Sequence, residues 1–168
     1  AAYGTPSAMS NAVAAMLYYL VAFGISTFGA GPAVIALVYS EGKGLELEDS
    51  AGLGQKYPWM GLAMLVFMLS LAGVPLTIGF WGKFFLIRSA IDAGNIALAI
   101  ITVMTSLISA YYYLRVVVYM FMRSGEPRVR RDGWLSLVAI AAAVAVVVLS
   151  VLPNQLLQLA MDAVLKLQ

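Results

Sequence analysis

The 168-residue sequence contains no cysteine and no histidine. Without cysteine the chain can hold no disulfide framework, no thiolate nucleophile and no iron–sulfur cluster, and without histidine it lacks the commonest zinc and haem ligand. The segment is therefore expected to carry no metal and no redox cofactor. Charge is scarce too, at 11% of residues against about 25% in soluble domains. The ten basic and eight acidic residues give a net charge of +2 and fall mostly between apolar runs. They form no basic stripe, which removes nucleic acid from the expected partners. There is no phosphate-binding loop, nucleophile elbow or metal-ligand set.

What the chain has in abundance is apolar surface, with 62% hydrophobic residues and a mean hydropathy of +0.92. Crossing about 30 Å of hydrocarbon takes roughly 20 apolar residues in a helix, and four runs meet that requirement. The pattern predicts an all-α, polytopic transmembrane bundle, a single membrane segment with spans near 11–40, 58–91, 95–122 and 134–152. In the first span Gly24, Gly29 and Gly31 permit close helix packing, and Pro32 is a candidate kink. After Pro153, polar Gln155, Gln158, Asp162 and Lys166 alternate with Leu156, Leu157, Ala160 and Val164. That spacing predicts an amphipathic interfacial helix over 154–167.

The connections at 41–57 and 123–132 are polar. They hold Lys43, Lys56, Arg123, Arg128, Arg130 and Arg131, whereas the opposite side has only Arg88 and Lys166. By the positive-inside rule both loops are cytoplasmic, and the C-terminus lies on the other face, periplasmic in a bacterial inner membrane. Glu41, Glu46, Glu48 and Asp49 fit a solvated loop. The first residue is Ala1, and the first apolar run has neither a basic leader region nor a small-residue cleavage site. The chain is accordingly expected to be a piece of a longer polypeptide.

The second run is too long for one ordinary span. Its middle reads Ala72-Gly73-Val74-Pro75-Leu76-Thr77-Ile78-Gly79. Pro75 cannot donate a backbone hydrogen bond, and Gly73 and Gly79 weaken the helix on either side, so a break near Pro75 is expected. Backbone freed at membrane depth is tolerated where it is buried in protein or lines a hydrated cavity.

Lys83 lies eight residues beyond Pro75 in the same run. A lysine at the centre of a membrane helix costs roughly 2.5–3.5 kcal/mol, which makes it a functional candidate. Desolvation makes a lysine's charge conditional on its partners, and its flexible stem can swing between them. Two readings stand: a proton relay beside the break, or an anchor snorkelling to the interface beside Trp81, about 12 Å from the break by helical rise. Arg88, nearer the turn at Asp92, is the more natural anchor, and Arg115 reads as a cytoplasmic-side snorkel. Ser70, Thr77 and Tyr112 are candidate residues of a hydrated path, with Thr102, Thr105, Ser106 and Ser109. Ser and Thr in membrane helices also bond their own helix carbonyls, a purely structural role.

The stretch Ser70-Leu71-Ala72-Gly73-Val74-Pro75-Leu76-Thr77-Ile78-Gly79-Phe80-Trp81-Gly82-Lys83-Phe84, followed by Ser109-Ala110-Tyr111-Tyr112-Tyr113-Leu114-Arg115-Val116, resembles the subunit N family of bacterial NADH:quinone oxidoreductase, respiratory complex I. The resemblance runs from the first span to the span at Trp134 and would cover the last helices of such a subunit. It implies an antiporter-like (Mrp-type) fold of two inverted five-helix repeats, in which a discontinuous helix carries a relay lysine. Lys83 matches that lysine, with Gly73, Pro75 and Gly79 at the break. It further implies proton translocation coupled to electron transfer, with NADH, FMN, iron–sulfur clusters and quinone held by partner subunits. The expected partners are the other antiporter-like and small membrane-arm subunits and lipid. An Mrp-like or membrane-hydrogenase cation/proton antiporter subunit and a structural membrane scaffold are the alternatives.

Overall fold

The computed structural model describes residues 6–38, 46–127, 129 and 133–165. Among them there is no strand, and the elements are seven α-helices and one 3-10 turn. Helix α1 is Pro6–Val38 and passes through Pro32 as one element. A 3-10 turn at Leu47–Ser50 and the short α2, Leu53–Lys56, precede α3, Pro58–Ala72, and α4, Ile78–Asp92. Then come α5, Ile96–Met122, α6, Gly133–Val151, and α7, Pro153–Leu165. Glu41, Lys43, Arg128, Arg130, Arg131, Asp132 and Lys166, assigned above to loops and a terminus, lie outside the described residues.

Among the described residues, three helices have an apolar stretch long enough to cross a membrane: α1 over Met9–Pro32, α5 and α6. The fourth run is divided. Helices α3 and α4 have 15 residues each, about 22 Å apiece at 1.5 Å per residue, so neither alone spans the hydrocarbon.

Helix α1 is the hub, packing against α3, α4, α6 and α7. Tyr18, Ala22 and Ala30 of α1 meet Met64, Phe67 and Met68 of α3, Ile78 of α4, and Ala139, Ala143 and Val146 of α6 in one buried cluster. Small residues permit this where lipid supplies no hydrophobic drive between helices. A Cβ on Gly29 would sit 2.5 Å from the Phe67 ring and 2.9 Å from Ala142 Cβ, so three helices converge there.

Pro153 is the first residue of α7, a position where the missing N–H costs nothing. The apolar face of α7 carries Leu156, Leu157 and Val164. It turns toward the bundle, where Leu156 and Leu157 pack against the buried cluster. An apolar stripe suits a helix–helix contact as well as a lipid surface, and here much of it is taken up by α1. At the opposite end the 3-10 turn and α2 clasp the end of α5. Gln55 Nε2 donates to the Phe121 carbonyl at 3.0 Å, and Lys56 pairs with Glu126 at 3.8 Å.

Candidate functional site

Helix α3 stops at Ala72, three residues before Pro75. The residue preceding a proline avoids helical dihedrals, and Gly73 takes the left-handed conformation at φ 81°, ψ 39°. Its N–H donates to the carbonyls of Leu69 and Ser70 at 3.0 Å, and the Val74 N–H donates to Leu69 at 3.0 Å, a Schellman-type ending. Helix α4 begins with Thr77 as its N-cap. The Thr77 hydroxyl donates to the Val74 carbonyl at 2.7 Å and accepts from the Phe80 N–H at 3.3 Å. Between the two caps, Leu76 adopts φ 73°, a left-handed conformation uncommon outside glycine. The turn is fixed at both ends.

Two carbonyls are left over. Had the helix continued, the N–H of residue 75 would have bonded the Leu71 carbonyl and that of residue 76 the Ala72 carbonyl. Pro75 has no N–H and Leu76 is turned away. Lys83 Nζ takes both places, donating to Leu71 O at 3.0 Å and Ala72 O at 3.1 Å. Helical side chains lean toward the N-terminus of their own helix, so a lysine on the second turn of α4 reaches back to the end of α3. The separation expected from helical rise between Lys83 and the break is closed by the side chain. The ammonium points to the break and away from Arg88, which pairs at 3.8 Å with Asp92.

Both glycines named from sequence have a spatial reason. A Cβ on Gly73 would lie 3.0 Å from Lys83 Cδ and 3.3 Å from Nζ. A Cβ on Gly79 would collide with the Ser70 carbonyl, because the first turn of α4 lies against the last turn of α3. Among the described residues no carboxylate is paired with Lys83. Its charge faces the negative end of the α3 dipole and two carbonyl oxygens.

Ser70 is buried and its hydroxyl lies 2.9 Å from that of Ser26 on α1, whose own proton goes to the Ala22 carbonyl at 2.8 Å. Ser70 is therefore the donor, and the pair ties α1 to the last turn of α3. On the other side of Lys83 a cavity of about 220 Å³ is lined by Tyr19 and Phe23 of α1, Leu71, Lys83 and Leu86, and Thr102, Thr105, Ser106, Ser109 and Tyr113 of α5. It has the polar walls and room that ordered water requires. The Thr and Ser hydroxyls of α5 donate to carbonyls three or four residues back, at 2.7 to 3.1 Å. Their protons are committed and their oxygens remain as acceptors for water.

Of the residues named for a hydrated path, Ser70 is at the break and Thr77 caps α4. Tyr112 is exposed and its neighbour Tyr113 lines the cavity instead. Successive helical residues are turned by about 100°, and a run of three tyrosines offers no means to choose among them. Tyr19 and Ser26 were not anticipated, since an apolar run does not mark which of its faces meets α3. Arg115 is outside this site, its guanidinium 5.7 Å from the centroid of the Tyr119 ring.

A sequence model of the family described as NADH:quinone oxidoreductase/Mrp antiporter, transmembrane, matches residues 3–109. The chain belongs to this family. It is 39% identical over 166 residues to NADH-quinone oxidoreductase subunit N 1 of Sorangium cellulosum, covering 96% of this chain and 33% of that protein. It is 42% identical over 168 residues to NADH-quinone oxidoreductase subunit N of Trichlorobacter lovleyi, covering 96% and 34%. The chain thus spans about a third of the length of these relatives. A chain in the structure of respiratory complex I from Thermus thermophilus with bound Aureothin superposes with a TM-score of 0.74 at 34% identity, over 87% of this chain and 34% of that one. The Mrp complex from Dietzia sp. gives a TM-score of 0.80 at 23% identity, over 90% and 37%, a likeness of fold. The antiporter-like fold of the NADH:quinone oxidoreductase/Mrp antiporter family is thus present in this chain.

Proposed function

We propose that this chain is part of the proton-translocating, antiporter-like subunit N of an NADH:quinone oxidoreductase, and that Lys83 is a proton relay at the break between α3 and α4. The observation that carries the reading is the Lys83 ammonium held by the Leu71 and Ala72 carbonyls at the edge of a hydroxyl-lined cavity. Neutral partners hold a cation less firmly than a carboxylate does. The amine can therefore give its proton to cavity water and be recharged without breaking an ion pair. The similarity to subunit N relatives supports the assignment to the membrane arm of complex I. NADH, FMN, iron–sulfur clusters and quinone belong to partner subunits, whose electron transfer drives the change at Lys83. The loops at 41–57 and 123–132 lie on the cytoplasmic side and the C-terminal helix on the periplasmic side.

The test is Lys83→Ala in the assembled parent complex, reconstituted in sealed vesicles, with proton pumping and NADH:quinone turnover followed together. Loss of pumping with an intact complex is expected. Unchanged pumping and turnover would make Lys83 a structural clamp.

A further inference from the structure

Helices α1 and α4 run antiparallel, and three layers follow one another along their contact. The first is the crevice at Lys83, walled by Tyr19, Ala22, Ser26, Ser70 and Gly79. One turn further, Tyr18 and Phe85 meet edge to face, with ring centroids 5.1 Å apart and planes at 83°. Gly82 lets the helices close there, since its Cβ would lie 3.2 Å from Tyr19 Cα and 3.5 Å from Tyr18 Cδ1. Beyond the aromatic pair lies a second cavity of about 380 Å³ at the end of α4, walled by Asn11, Phe85, Arg88, Ser89, Asp92 and Met161. Polar groups, Lys83, Ser26 and Ser70 on one side and Asn11, Arg88, Ser89 and Asp92 on the other, thus flank the aromatic layer.

Tyr18 is 1% exposed, and its hydroxyl has no hydrogen-bond partner among the described residues. A buried hydroxyl left unpaired is destabilising, and phenylalanine would fill nearly the same volume without that cost. A second arrangement in which it has a partner would account for the hydroxyl. We infer that Tyr18 and Phe85 are the closed barrier of a proton exit from the Lys83 crevice to the Arg88–Asp92 cavity, opened when the Phe85 ring turns aside and admits water to Tyr18 Oη. The inference rests on Lys83 being a relay.

In the open arrangement an N–H bond of the Lys83 ammonium breaks and an O–H bond forms on adjacent water, leaving a neutral amine. The excess proton passes along the water, Tyr18 accepting one proton and releasing its own without net change, and reaches solvent through the polar cavity. With the ring closed, water is excluded from the aromatic layer, and the proton has no path from the Lys83 crevice to the second cavity.

The 168-residue sequence has no cysteine, so one introduced at Ala22, on the crevice wall, reports access directly. In the assembled complex in sealed vesicles, a membrane-impermeant thiosulfonate is added from the side of the second cavity, and labelling of the peptide is read by mass. Ala22→Cys combined with Phe85→Ala is expected to react about tenfold faster than Ala22→Cys alone, the factor for removing an aromatic pair that holds the layer shut. Should Phe85→Ala fail to assemble, Phe85→Leu supplies the same comparison. Equal rates, or labelling only from the opposite face, overturn the inference. Tyr18→Phe keeps the ring and should slow pumping severalfold in an intact complex, and wild-type pumping by it also overturns the inference. The labelling does not depend on proton transfer by Lys83. Its failure is therefore distinct from that of Lys83→Ala, which tests the relay alone.

Discussion

Helix α5 and the α3–α4 pair solve the same problem in opposite ways. Helix α5 runs 27 residues without interruption, and its Thr and Ser hydroxyls bond back to its own carbonyls. These Thr and Ser protons are settled inside the element, so water beside them meets acceptors. The α3–α4 run is divided at 73–77 and leaves the Leu71 and Ala72 carbonyls without helical N–H partners. These are satisfied by a side chain that can also lose its proton. Continuity thus makes a passive wall, and interruption makes a place where a charge is held, which on the proposed function is also given up.

The largest effect that would break this contrast is expected at Gly79. Gly79→Val places bulk against the Ser70 carbonyl, a backbone atom that cannot yield as a side chain would, and should cost ~3 kcal/mol or more. The check is the yield of assembled complex and its thermal inactivation, both of which should fall sharply. Thr77→Ala comes next. It removes the cap of α4 at a cost of about 1 kcal/mol, loosening the platform on which Lys83 stands without touching Lys83. Pumping by that variant should fall by less than in Lys83→Ala while assembly persists. Thr105→Val on α5 should be the mildest, within about 0.6 kcal/mol of the parent. The carbonyls it serves keep their helical N–H bonds, so thermal inactivation should hardly move.

The same contrast governs what could be read in advance. The four apolar runs, the weakness at Gly73-Val74-Pro75 and the isolated Lys83 are local features, visible because apolar length and helix-breaking residues act within a few positions. The reach of Lys83 back to Leu71 and Ala72 depends on α4 lying against α3, and on Gly79 permitting it, which is a tertiary matter. The pairing of Ser26 with Ser70 spans 44 positions and carries no sequence signature. Tyr113 in place of Tyr112 follows from the rotation of α5, which its broadly apolar surface leaves open. Pro75 drew attention to the break, but the helix had already ended at Ala72, because the chain must leave helical dihedrals before a proline and Gly73 makes that exit easy.

The most direct test of the central claim is Lys83→Arg in the assembled complex, with pumping and turnover measured in sealed vesicles. Arginine keeps a cation able to donate to the Leu71 and Ala72 carbonyls, but it does not give up its proton in proteins. The account predicts an intact complex that no longer pumps. Wild-type pumping by Lys83→Arg would show that the site needs only a positive clamp on the broken helix, and would contradict proton relay at Lys83.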